Sequence, residues 1–214
     1  MARTTRKQVP QENVEETRNA ILRVAQHLFM TYGWRVVTAR QLAEACGLTQ
    51  PAFYHHFADK QALYLAVVTE EFAKMKAALE RIVRRSDEVP ERLRNVASYL
   101  LSRIQYDFGL MLHDVRYELS PEVRALLDAQ FRGGVIAPIA ALFEEGIRQG
   151  YLLDAEHGGI APTLATSLFM NIISRFAAKV QEDVSAHTRQ SQQAASADLV
   201  VRLLFYGIAN PEKN

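Results

Sequence analysis

Apolar positions recur at helical spacing along nearly the whole chain, and no stretch alternates with a strand's period of two. Val14, Ile21, Ala25 and Leu28, flanked by Leu22 and Phe29, form one stripe that ends at Gly33. Thr38 opens a second helix, and Gln41 three residues on completes a capping box. Leu42 and Ala45 are its apolar face, and Gly47 ends it. Thr49 caps a short third helix with Pro51 in its first turn. Asp59 caps a long fourth helix, Lys60 to about Arg85, with Leu63, Val67, Phe72, Met75, Leu79 and Ile82 turned inward. After a break at 86–90, further helices are predicted at about 90–106, 121–149, 159–180 and 195–208. Gly109, Gly133-Gly134, Gly150 and Gly158-Gly159 mark bends or ends, and the polar stretch 185–196 reads as a mobile loop.

This pattern predicts an all-α protein: a small N-terminal three-helix unit followed by a larger helical body. The expected boundaries are a disordered basic tail at 1–12, a small helical domain at 13–60, and a larger helical domain at 61–214. The 214 residues, 49% hydrophobic and 23% charged, can bury a substantial core. No run of about 18 apolar residues and no signal peptide is read, so no membrane span is expected and the cytoplasm is the expected location. The single cysteine, Cys46, excludes a disulfide framework.

Charge sharpens the picture. The net charge is only +1. Residues 1–60, however, carry eight basic against five acidic residues, and Arg3, Arg6 and Lys7 crowd the first ten. A small basic module on a neutral body suits a nucleic-acid binder. The tail either reaches into a minor groove or is a solvated arm.

Residues 38–56 place two short helices around a glycine turn, the geometry of a DNA-reading helix-turn-helix. Leu42, Leu48, Phe53 and Phe57 would pin the pair to its neighbours. Thr38 and Thr49 offer hydroxyls and free N–H groups to phosphates, and Arg40 and Lys60 can neutralise them. Tyr54 can donate its hydroxyl to a phosphate. Gln50 can pair with adenine, and His55 can reach a base edge. Ala52 lets the helix approach the groove, and His56 is either packing or a phosphate contact.

The segment TARQLAEACGLTQPAFYHHFADKQAL, residues 38–63, resembles the TetR-type repressor signature, with Tyr54, His56, Phe57, Lys60 and Leu63 in that family's pattern. Residues 15–65 share the likeness. Pro51 and Phe53 depart from it and shift which side chains read bases. The resemblance implies that 13–60 is the helix-turn-helix DNA-binding domain and 61–214 the larger helical ligand-binding (effector-binding) and dimerisation domain of a repressor bound to palindromic double-stranded operator DNA and released by a small-molecule effector. It also implies a homodimer through the last two helices, residues 160–180 and 197–208, whose broad apolar surfaces suit such a contact.

The body is aromatic-rich. Tyr99, Tyr106, Met111, His113, Arg116, Tyr117, Phe143 and Phe169 are candidates to line an effector site, or core, with an apolar or aromatic ligand expected. No cofactor, metal site or catalytic set is read from the sequence, and His113-Asp114 lacks a second ligand at helical spacing. A ligand-free architectural DNA-binding factor and a helical ligand carrier stay open as alternatives.

Overall fold

A computed structural model describes residues 11–103, 108–179 and 186–208. Ten α-helices follow in order: α1 (Gln11–Val36), α2 (Ala39–Ala45), α3 (Gln50–His56), α4 (Lys60–Val83), α5 (Val89–Arg103), α6 (Phe108–Tyr117), α7 (Pro121–Phe131), α8 (Ala137–Arg148), α9 (Pro162–Lys179) and α10 (Ala186–Ile208). A π turn, Arg132–Ile136, joins α7 to α8, and a 3₁₀ turn, Ala155–His157, precedes α9. No β-strand forms among the described residues.

The head, α1 to α3, builds on α1, whose Ile21, Ala25 and Phe29 are buried. Gly33 adopts φ 78°, which bends the chain out of the helix before Trp34. Few side chains tolerate that backbone, so glycine is needed there. Short α2 buries Leu42 and Ala43. Ala43 therefore takes the place expected of Ala45, which is exposed. Phe53 and Phe57 complete the head core, and the Arg18 guanidinium lies 4.8 Å over the Phe57 ring.

Helix α4 belongs to both halves. Its N-terminal end closes the head, and the rest packs on α5, α7 and α8 and the π turn. The body wraps α10 along α5 and α9 along α8. Buried Arg92 of α5 donates from Nη1 to Val83 O at 2.8 Å and pairs with Glu145 of α8, tying three helices together. The helical run 121–148 is long and apolar enough, by length and composition, to cross a bilayer. Its Leu127, Val135, Ile139 and Phe143 are buried in the fold.

Three expectations need correction. Residues 186–196 are the opening turns of α10 rather than a loop. Ser191 and Gln192 are exposed on this helix, while Gln193 is buried and its side-chain amide donates to Leu101 O at 3.4 Å. Gly109 lies within α6, a helix the periodicity did not separate from its apolar surroundings, and not at a bend. The expected helix at 121–149 is interrupted by the π turn at Gly133-Gly134. The Arg3, Arg6 and Lys7 tail lies outside the described residues, and α1 already opens at Gln11.

Candidate nucleic-acid interface and effector cavity

Seven-residue helices are too short to persist on hydrogen bonds alone, so α2 and α3 depend on their ends and anchors. Thr38 accepts from Gln41 N at 3.2 Å while the Gln41 side chain accepts from Thr38 N at 2.8 Å, a complete capping box. Gly47 makes the turn with φ 67°, and nothing lies within 4 Å of where a Cβ would sit. The demand for glycine there is conformational, not steric. Thr49 caps α3 by accepting from Ala52 N at 3.4 Å. Leu42 and Phe53 anchor the two helices to the core.

This leaves one polar face outward. Thr38, Arg40, Thr49, Gln50, Tyr54 and His55 are exposed, and Ala52 and His56 are half-buried. Tyr54 is 46% exposed beside fully buried Phe53, so the Phe-Tyr pair splits cleanly between core and surface. Arg40 pairs with exposed Glu44 at 2.8 Å, an exposed contact that a phosphate can replace. Lys60 is placed differently. Its Nζ donates to Trp34 O at 2.6 Å and Val37 O at 2.8 Å, and lies 4.1 Å over the Trp34 ring. Burial pushes its pKa down, opposed by Asp114 and Glu118. In this conformation the lysine satisfies carbonyls left open where α1 ends. Cys46 is half-buried, and burial pushes its thiol pKa up.

The head meets the body along a seam of α1 against α4 and α6. Asp114 of α6 is buried, and its Oδ2 accepts from Trp34 N at 2.7 Å and from the Tyr64 hydroxyl at 3.5 Å. Burial raises the Asp114 pKa, and the Trp34 bond opposes the rise. Burial likewise pushes Tyr64 well above the usual phenol range. Arg35 reaches Glu118, just beyond the end of α6, at 2.7 Å. A cavity of about 260 Å³ opens in this seam. Met30, Met75 and Met111 supply its apolar wall, and Arg23, Gln26, His27, Glu71 and Arg103 its polar groups.

Among the described residues, Met111 is the one effector-site candidate from the sequence that lines this cavity. Tyr99 is half-buried on α5. His113, Arg116 and Tyr117 sit on the outer surface of α6, with Tyr117 64% exposed. Phe143 and Phe169 are fully buried against each other, ring centroids 6.0 Å apart. Tyr106 lies outside the described residues. Sequence reasoning missed Arg23 and His27 because they read as the solvent face of α1, and Arg103 and Glu71 because their meeting is long-range. Among the described residues no three His, Cys, Asp or Glu gather as a metal site.

Helices α9 and α10 expose Leu164, Leu168, Leu199 and Leu203, each between 41% and 51% accessible. Each pair is spaced by four residues, so each forms a ridge along its helix.

Residues 21–67 match the family described as "Bacterial regulatory proteins, tetR family". The chain is 32% identical to the HTH-type transcriptional repressor AcnR of Corynebacterium efficiens, over 54% of each protein. It is 30% identical to the tetracycline repressor protein class C of Escherichia coli, over 55% of this chain and 56% of that one. The chain thus spans about half the length of these curated relatives. In structure it is similar to AibR, solved in complex with isovaleryl coenzyme A and operator DNA. That similarity has a TM-score of 0.69 at 21% identity and covers 88% of this chain and 98% of the other. The head, residues 21–67, is thus similar to that of tetR-family regulators, and the chain shares its fold with AibR.

Proposed function

We propose that this protein is a homodimeric transcriptional repressor that reads a palindromic operator with α3 and leaves it when a small molecule binds the body. The observation that carries the reading is the outward face of the capped α2–α3 pair. There hydroxyl, amide and guanidinium groups project while Leu42, Phe53 and Phe57 hold the backbone rigid. The family model matches residues 21–67, which include this face, relatives of the chain are named as repressors, and the AibR structure pairs the fold with operator DNA and a ligand. The dimer is proposed through residues 160–180 and 197–208, whose exposed leucines would close an isologous four-helix contact. Two recognition helices would then enter successive major grooves about 34–36 Å apart. A cytoplasmic location follows from the DNA partner.

Release is a matter of linkage. A ligand that favours a body shape incompatible with groove spacing weakens DNA binding, and DNA weakens the ligand by the same factor. About 1.4 kcal/mol of differential affinity suffices for a tenfold effect. Selection of bound sequences from a random duplex pool tests the reading, with the mass of the complex measured on the winner. A palindromic winner holding two copies of the chain is expected. No enrichment of any sequence would refute it.

A further inference from the structure

The seam cavity has a composition that selects a ligand. Three methionines from three different helices form its apolar wall: Met30 of α1, Met75 of α4 and Met111 of α6. Thioether side chains are flexible and polarisable, and they repack around varied apolar shapes. The polar side is unbalanced. Buried Glu71 is already engaged by Arg103 at 2.5 Å and Lys74 at 3.0 Å, and Lys74 also reaches Glu70 at 2.8 Å. Among the described residues lining the cavity, two guanidinium groups, Arg23 and Arg103, stand against one carboxylate, Glu71. Arg23 has no ion-pair partner among the described residues. A cationic ligand would have to compete with Arg103 and Lys74 for Glu71, whereas an anion meets the surplus.

From this geometry we infer that the head–body seam is a binding site for a small amphipathic carboxylate. Its apolar part lies among Met30, Met75 and Met111, and its carboxylate on Arg23 and Arg103. At about 260 Å³ the cavity is just below the range of drug-sized sites, about 300–1,000 Å³, so the ligand is small.

The position also gives the site leverage. Met30 precedes Trp34 by four residues on α1, and Met111 precedes Asp114 by three on α6. On the α6 side the bond from Trp34 N to Asp114 Oδ2 therefore lies one helical turn from Met111, and on the α1 side only the Gly33 bend separates Met30 from Trp34. A molecule that separates Met30 from Met111 acts on the latch holding the head to α6. This consequence rests on the release reading above; binding itself does not.

The five methionines of the chain make a direct test possible. The protein is labelled with ¹³C at the methionine methyls, and each signal is assigned by its Met→Leu variant. Octanoate is titrated without DNA, with octanol and octylamine as matched controls. Saturable shifts at Met30, Met75 and Met111, with Met170 still, are expected. Octanol and octylamine should bind at least about tenfold more weakly, and Arg23→Gln should weaken octanoate by a similar factor while leaving octanol unchanged. No movement of the three methyls, equal binding of octanol, or an unaffected Arg23→Gln variant would overturn the site. DNA release by octanoate is then read separately. Methyl shifts without release contradict the release reading and leave the site standing; release without methyl shifts places the effector elsewhere and removes it.

Discussion

The head is held by the ends of its helices and the body by their faces. In the head, α2 and α3 are seven residues each, and caps, a glycine turn and a few rings hold them in place. In the body, α4 and α10 run for 24 and 23 residues and bury long aliphatic surfaces against partners far away in sequence. Local bonds let the head keep one shape while nearly all its outer side chains stay free for a partner. The body spends its side chains on packing, and its cavity opens where packing meets the head.

The contrast can be broken at several points. The largest effect is expected from Phe143→Ala, which removes a fully buried ring from the body core. A loss of about 3–5 kcal/mol in urea unfolding is expected, with DNA affinity of the folded fraction unchanged. Glu145→Ala strips the partner from buried Arg92 and should cost about 3 kcal/mol. Arg92 holds the Glu145 carboxyl below the usual carboxylate range. The pair's contribution is therefore full above the ordinary glutamate pKa of about 4.3 and fades as pH falls through the lowered value. Glu145→Gln should flatten that part of the acid limb of the stability curve.

Smaller effects belong to the head. Lys60→Met leaves the Trp34 and Val37 carbonyls without their cation and should lower stability by about 1–2 kcal/mol. A lysine serving only as a phosphate contact would change DNA affinity and its salt dependence while thermal unfolding stayed put. Thr38→Ala breaks the capping box and should cost about 1 kcal/mol. Hydrogen exchange should then quicken in α2 first, with α8 unaffected.

The same contrast explains what was legible in the sequence. Thr38, Gln41, Gly47 and Thr49 act within four residues of themselves, so the capping box, the turn and the α3 cap could be read directly. The amphipathic body helices were legible as stripes, but their polar exceptions were not. Gln193 looked like loop composition because its acceptor, Leu101 O, is 92 residues away. The seam cavity brings Arg23 and Glu71 together across two elements, and no local spacing marks that meeting. Lys60 was read as a phosphate contact on its place in the motif, while its bonds to α1 carbonyls depend on how α4 docks.

The central claim is that the outward face of the head, and not the exposed face of the body, meets DNA. Two exposed tyrosines test it: Tyr54 on α3 and Tyr117 on α6. Fluorescence anisotropy on the selected operator, over a series of salt concentrations, would compare Tyr54→Ala and Tyr117→Ala with the parent. The account predicts at least about a tenfold loss for Tyr54→Ala with unaltered thermal unfolding, no loss for Tyr117→Ala, and affinity that falls steeply with salt for the parent. Equal affinities for all three proteins, or a loss confined to Tyr117→Ala, would contradict it.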